Sequence, residues 1–195
     1  MIPTSPLIVV IAGPNGAGKS TTAPQLLQKA LAVTEFVNAD AIAYGISAFR
    51  PESVAIEAGR IMLNRIRMLA NKRLDFAFET TLASRMFAPW LSYQRDSGYR
   101  VHLAFLSLPN EELALARVAE RVRMGGHHVP DHVVKRRFVL GLKNFFSIYQ
   151  KIADTWQLFD NSDMRDPVLV ATGKMNDVVT LYEKNIWNTL LENLK

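Results

Sequence analysis

Apolar positions along the chain recur in two periods, and their succession predicts strand and helix in turn. Leu7-Ile-Val-Val-Ile-Ala12 is a continuous apolar run behind Pro3 and Pro6. Such a run predicts a strand buried on both faces. Leu26, Leu27, Ala30 and Leu31 then fall at helical spacing. Glu35 to Asp40 reads as a short second strand with a polar end. Pro51 and Glu52 open a helix, and Val54, Ala58, Ile61, Met62, Ile66 and Leu69 form its apolar stripe. Phe76-Ala-Phe-Glu79-Thr-Thr81 predicts a third strand, followed by a helix from Met86 to about Asp96 that Gly98 closes.

Val101 to Leu108 predicts the fourth strand. Asn110 caps the next helix, with Glu111 and Glu112 in its first turn, and Gly125-Gly126 stops it. A long helix follows Pro130, with Val134, Phe138, Leu142, Phe145, Tyr149 and Ile152 as a core-facing stripe. Trp156 to Phe159 predicts a fifth strand, Val168 to Ala171 a short edge strand, and Val178 to Leu194 a final amphipathic helix. This alternation predicts an α/β fold with a mostly parallel sheet of five to six strands and helices on both faces. Ligands of such a sheet sit beyond the C-terminal strand ends, where Gly13, Asp40 and Glu79 would meet. No repeat, linker or low-complexity segment divides residues 1–195, so one domain is expected.

Composition narrows this only a little. The 195 residues are 49% hydrophobic and 21% charged, which suits a globular domain with a substantial core. The absence of cysteine excludes disulfides and thiolate metal sites. The apolar run near the N-terminus has no basic segment ahead of it and is too short to span a bilayer. A cytoplasmic protein with no membrane partner is therefore expected. The formal net charge is +5, which raises the question of nucleic acid. Six of the 23 basic residues, however, lie between Arg117 and Arg137, and a nucleoside triphosphate accounts for that cluster equally well. No basic run alternates with aromatics, so no nucleic-acid partner is expected.

The chemistry concentrates first in Gly13-Pro14-Asn15-Gly16-Ala17-Gly18-Lys19-Ser20-Thr21. Between a strand and a helix, G-x-x-x-x-G-K-[ST] is a phosphate-binding loop. Its glycines let consecutive backbone N–H groups face phosphate oxygens, and the helix N-terminus adds partial positive charge. Lys19 would reach the β- and γ-phosphates of ATP, and the Ser20 hydroxyl would ligate Mg²⁺. Asp40 ends the second strand, where it either aligns an acceptor hydroxyl or caps the following helix. Glu79 is suited to Mg²⁺, through water, or to substrate. Thr80 and Thr81 are suited to hydrogen bonds with substrate or phosphate. Arg85 reads as a solvated helix-start arginine. Arg117 and Arg121 share a helix face, whereas Arg123 and Lys135 read as solvated. His127, His128 and His132 lack companion ligands for zinc. Asn161 either touches a nucleotide base or shapes a strand-end turn.

The loop alone is also common in ATP-binding cassette ATPases, but their LSGGQ-type signature and Asp-Glu strand end are absent from the sequence. The ordered set of phosphate loop, Asn38-Ala-Asp40, Glu79-Thr-Thr81, Arg121-Val-x-x-Gly-Gly-His127-x-Val-Pro130, Arg136-Arg137 and Asp160-Asn-Ser162 instead resembles the zeta toxin-like family of small P-loop kinases. The resemblance runs from about Leu7 to Ala171. It implies a three-layer P-loop NTPase of the nucleoside-kinase type, with a helical lid over about 117–137. It implies transfer of the γ-phosphoryl of Mg-ATP to a hydroxyl, with a nucleotide-sugar such as UDP-N-acetylglucosamine as one acceptor, and a small antitoxin protein as a partner. The matching acid, Asp40, would contact the acceptor hydroxyl as general base. Arg121 would contact the γ-phosphate, with Arg136 or Arg137 beside it; Lys19, Asp40, Arg121 and Arg136 are the expected catalytic set. The long C-terminal extension of the best-known toxins is not matched. An ATP-binding module acting through a protein partner is the alternative reading.

Overall fold

The computed structural model describes residues 5–126, 128–163 and 166–194, without the side chains of 28–30. Strand β1 (Leu7–Ala12) leads through the glycine-rich loop into α1 (Lys19–Pro24), which a π-helical segment (Gln25–Ala30) extends. Next come β2 (Phe36–Val37), α2 (Ala39–Ile46), a 3₁₀ turn (Pro51–Val54) and α3 (Ala55–Asn71). Then follow β3 (Phe76–Thr80), α4 (Phe87–Asp96), β4 (Arg100–Ser107) and α5 (Glu111–Arg123). Helix α6 (Asp131–Asn144) runs through a π-helical segment (Phe145–Tyr149) into the short α7 (Gln150–Ile152). The chain ends with β5 (Thr155–Asp160), β6 (Val168–Lys174), β7 (Asp177–Leu181) and α8 (Lys184–Glu192).

The sheet order is β2-β3-β1-β4-β5-β6-β7. The first five strands pair in parallel, and β6 and β7 add antiparallel. Three features differ from expectation: the second strand stops at Val37, so Asp40 lies in the first turn of α2 rather than at a strand end. The sheet has seven described strands rather than five or six, and β6 is not its edge. The segment that begins at Val178 is a strand before it is a helix: β7 folds back on β6 through the two-residue loop Met175-Asn176. Val178, Val179 and Thr180 are β-branched and suit a pleated strand better than a helix. Their apolar positions also happened to join the spacing of α8.

The core explains the sequence of β1. Ile8, Val10 and Ala12 face one apolar layer, with Phe76, Phe78, Leu103 and Phe105. Val9 and Ile11 face the other, with Ala77, Ala104 and Leu106. Every residue from Ile8 to Ala12 is buried, so the run shows no alternation. Each aliphatic side chain buried this way contributes about 1.5–3 kcal/mol relative to exposure. Helices α3, α4 and α8 cover the first layer; α1 and α5 cover the second. Within the stripe of α3, Ile61 is exposed, while Ala58, Met62, Ile66 and Leu69 are buried.

Helix α6 touches both layers. Val134 and Phe138 belong to the layer of α1 and α5, whereas Leu142, like Phe145 in the π-helical segment that follows, belongs to that of α3 and α4. It therefore crosses from one face of the sheet to the other. Its middle lies close to the end of β3, where Gly141 packs against the Thr81 carbonyl. Asn144 Nδ2 donates to the Leu82 carbonyl at 2.7 Å. Among the described residues, no helix is long and apolar enough to cross a membrane.

Candidate active site

The C-terminal ends of β1, β2 and β3 open on a cavity of about 510 Å³. The loop after β1 forms its floor. Gly18 precedes α1 in left-handed conformation, with φ 75°, and a Cβ there would lie 2.5 Å from Asn161 Nδ2. Glycine thus answers both the backbone twist and the close approach. Asn161, buried after β5, donates from that Nδ2 to the Ala17 carbonyl at 2.7 Å. It braces the loop from behind, at a strand-end position.

Lys19 is 7% exposed. Its Nζ donates to the Pro14 carbonyl at 2.9 Å and pairs with Glu79 Oε1 at 3.5 Å. Burial lowers the Lys19 pKa; the charges of Glu79 and Asp40 oppose that shift, and Arg121 adds to it. The electrostatics therefore join four groups, from α1, β3, α2 and α5. Ser20 Oγ donates to Glu79 Oε2 at 2.7 Å. Asn38 Nδ2 donates to the same Glu79 oxygen at 2.7 Å and lies 3.2 Å from Ser20 Oγ.

Asn38, not Asp40, caps α2. Its Oδ1 accepts from the Asp40 N–H at 2.8 Å and the Ala41 N–H at 3.2 Å. Asp40 is exposed in the first turn and lines the cavity. Thr80 and Thr81 also line it. Their Oγ1 atoms accept from the Leu82 N–H at 3.1 Å and the Ala83 N–H at 3.5 Å. Leu82 is buried with φ 54°, so a tight turn carries the chain away from the cavity here.

The arginines separate by position. Arg121 lines the cavity. Arg117 lines it too, but its guanidinium donates to the carbonyls of Asn161 at 2.7 Å and Ser162 at 2.8 Å. It ties α5 to the turn behind the loop. Arg137 faces the cavity, and its Nη1 donates to Asn15 Oδ1 at 3.3 Å. Burial lowers its pKa, the charge of Asp40 raises it and that of Arg136 lowers it; it remains a cation, since an unperturbed guanidinium titrates far above neutrality. Arg136, the residue of the expected set, is exposed and does not line the cavity. Successive helical residues point about 100° apart, so only one of the pair can face inward. Arg85 is exposed outside the lining. Arg123 pairs with Glu120, and Lys135 with Glu111 at 3.2 Å. His127 lies outside the described residues.

The structure thus brings Lys19, Ser20, Asp40, Glu79, Thr80, Thr81 and Arg121 together, and places Arg137 where Arg136 was expected. Sequence reasoning gave no separate role to Asn38, Asn15, Met62 or Phe87, all of which line the cavity. An asparagine directly before Ala-Asp-Ala-Ile is a helix-cap signal, and it would have identified Asn38. Met62 and Phe87 carried no mark beyond being apolar.

A family model for an AAA domain matches residues 8–137. An uncharacterized protein of Haemophilus influenzae is 30% identical over 126 residues, which is 65% of this chain and 88% of that protein. The AvrRxo1-ORF1:-ORF2 structure with ATP superposes with a TM-score of 0.73 at 17% identity. That match covers 95% of this chain and 63% of the other, so the chain spans under two thirds of that protein's length. A structure from the PezAT chromosomal toxin–antitoxin system of Streptococcus pneumoniae superposes with a TM-score of 0.66 at 16% identity, covering 98% of this chain and 87% of the other. With its matched model extending from β1 into α6 around the phosphate loop, the chain belongs to the AAA domain family, and its fold is that of the zeta toxin-like P-loop kinases.

Proposed function

We propose that the protein is an ATP-dependent small-molecule kinase that transfers a γ-phosphoryl group to an acceptor hydroxyl. One observation carries the reading: Lys19, Asp40, Glu79, Arg121 and Arg137 converge from five segments on one cavity beside the phosphate loop. Phosphoryl transfer needs an oriented nucleophile and neutralised phosphate oxygens more than a strong base. Gly13 to Thr21 supplies the donor cradle. Lys19, Arg121 and Arg137 neutralise the charge that spreads over the transferring group. Asp40 orients the acceptor hydroxyl and takes its proton as the new O–P bond forms. The bond between the γ-phosphorus and the β–γ bridging oxygen breaks, and its electron pair leaves with ADP.

Ser20 Oγ and Glu79 Oε2, 2.7 Å apart, fit Mg²⁺, which takes hard oxygen ligands and retains several waters. These two residues would hold it, and when bound it neutralises phosphate charge. The residues 117–137 form the lid in this reading, and the reaction is cytoplasmic. Purified protein with Mg-ATP and candidate acceptors should form a phosphorylated product. Loss of that product in Lys19→Ala and Asp40→Asn supports the reading; undiminished transfer in either variant overturns the role given to it.

The second reading is favoured by the two structural neighbours, one an ORF1:ORF2 complex and one from a toxin–antitoxin system. In it, the chain binds ATP and a small antitoxin-like protein, and acts through that partner. A cellular phenotype that survives Asp40→Asn while ATP binding persists would favour it over catalysis.

A further inference from the structure

One face of α6 is fastened to the chain that leaves β3. Arg137, Gly141 and Asn144 are spaced i, i+4, i+7 and so share that face. In order, they meet Asn15 of the phosphate loop, the Thr81 carbonyl and the Leu82 carbonyl. The π-helical segment adds a fourth contact, in which the Tyr149 hydroxyl donates to the Ser84 carbonyl at 2.7 Å. In an α-helix, residues five apart point about 140° away from one another. A π turn, bonded i→i+5, brings Asn144 and Tyr149 to the same side instead. Both side chains are buried.

What they hold is the turn at residues 81–84. Leu82 sits in it with φ 54° and its side chain fully buried. A bulky residue adopts that left-handed conformation only where the surrounding structure over-determines it, and two buried side-chain donors do so here. The Leu82 N–H donates to Thr80 Oγ1 at 3.1 Å, so a clamp on the Leu82 carbonyl also fixes the direction of Thr80, which lines the cavity. The Ala83 N–H does the same for Thr81 at 3.5 Å. Beyond the turn, α4 starts with Phe87, also in the lining. Burial pushes the Tyr149 phenol up to about 12 against the Phe87 and Ala88 backbone N–H groups, so it stays a donor near neutrality.

We infer that Asn144 and Tyr149 are positioning residues for the acceptor: through the 81–84 turn they hold Thr80, Thr81 and Phe87 at the cavity. The inference rests on the kinase reading, in which the acceptor hydroxyl meets Asp40. Neither residue is in the described cavity lining, so each acts through the turn and not by touching substrate. β3 stands between β2 and β1 in the sheet. Its end therefore lies on the side of the phosphate loop from which α2 brings Asp40, away from Asn161 and Arg117 on the β4–β5 side. Loosening the turn displaces the acceptor and leaves the phosphate loop in place. A misplacement of about 1 Å costs as much as about 100-fold in rate.

Tyr149→Phe keeps the ring and removes one hydrogen bond to the turn; Asn144→Ala removes the other. Tyr99→Phe is the control. Its hydroxyl also donates to backbone carbonyls, of Ala70 at 3.2 Å and Leu74 at 3.0 Å, but at the opposite end of β3. Each protein is given γ-labelled ATP and dilutions of a bacterial metabolite extract, and label is followed into products other than ATP and phosphate. ATP affinity is measured separately by calorimetry. Tyr149→Phe and Asn144→Ala should need about tenfold more extract for half-maximal labelling, with Kd for ATP unchanged, while Tyr99→Phe matches the wild type in both. Amide exchange reads the turn with no acceptor present, and should quicken at Leu82 and Ala83 in the first two variants but not in Tyr99→Phe. Unchanged exchange at these amides, an unchanged dependence on extract, a matching loss of ATP affinity, or an equal shift in Tyr99→Phe overturns the inference and leaves the kinase reading standing. No labelled product from the wild-type protein overturns the kinase reading and this inference together.

Discussion

Asn38 donates from Nδ2 to Glu79 Oε2 at 2.7 Å while its Oδ1 holds the Asp40 N–H at 2.8 Å. One amide therefore fixes the start of α2, which carries Asp40, and the carboxylate at the end of β3. Asparagine can do both because it offers a donor and an acceptor on one planar group. Asn38→Asp keeps the helix cap, which Asp makes as well as Asn, but sets a second carboxylate against Glu79. Asn38→Ala loses both bonds. We expect Asn38→Asp to hold the wild-type melting temperature within a few degrees yet lose about 10–100-fold in kcat/KM, the usual cost of removing a partner of a metal-binding group. Asn38→Ala should lose about 1 kcal/mol of stability as well. Steady-state kinetics beside thermal melts of the two variants decide this; equal activity loss with no split in stability would refute the dual role.

Lys19 predicts an alkaline limit on nucleotide binding. Burial depresses its pKa, so it loses its charge at lower pH than a free lysine near 10.4. ATP affinity should fall as pH rises through that lowered value. In the protein without nucleotide the sign reverses: the unfolded chain holds the proton more tightly, so stability rises with pH between the lowered value and the unfolded one. Glu79→Gln removes the largest opposing influence on Lys19, so the limb of weakening ATP affinity should move to lower pH. Lys19→Arg should flatten that limb, because a guanidinium stays charged. Isothermal titrations with ATP across pH 7 to 10 measure the three affinity effects, and melts of the nucleotide-free protein over the same range measure the stability.

Arg137 and Arg136 are adjacent, but only Arg137 faces the cavity and meets Asn15. Removing a charge that neutralises the transferring phosphoryl costs about 100-fold or more in kcat. Arg137→Ala should show that loss, while Arg136→Ala should change kcat less than about threefold, as surface substitutions do. Single-turnover assays with saturating ATP compare them directly. A larger loss for Arg136→Ala would overturn this assignment.

That pair marks the boundary of what the sequence made legible. β1 and its loop were plain because a strand buried on both faces and a phosphate cradle each leave a local signature. Asp40 and Glu79 were marked by being acids that close apolar strand patterns, and Arg121 by its place in the ordered motifs of the family resemblance. The choice between Arg136 and Arg137 depends on how α6 is rotated as it crosses the sheet, which residues distant in sequence determine. The same holds for Met62 and Phe87, whose side chains differ from other core positions only in bordering the cavity. β7 was hidden for another reason: every residue in it is exposed, so no buried stripe distinguished a strand from the beginning of α8.

Gly141 and Gly59 make the crossing of α6 testable by opposite signs. Both sit inside helices, where Gly→Ala ordinarily stabilises by about 0.5–1 kcal/mol. A Cβ on Gly59 in α3 would have nothing within 4 Å outside its own helix backbone and adjacent residues, so Gly59→Ala should follow that rule. A Cβ on Gly141 would lie 2.5 Å from the Thr81 carbonyl oxygen. That oxygen belongs to backbone at the end of β3, which cannot swing aside as a side chain could. Gly141→Ala should therefore force α6 away from the end of β3 and destabilise by about 1–3 kcal/mol, a fall of roughly 2–4 °C in melting temperature per kcal/mol for a chain of this size. Because α6 also carries Arg137, the same variant should lose kcat, whereas Gly59→Ala should not. Thermal melts and kinetics of the two variants together test the crossing; stabilisation by Gly141→Ala would show that α6 does not press on Thr81.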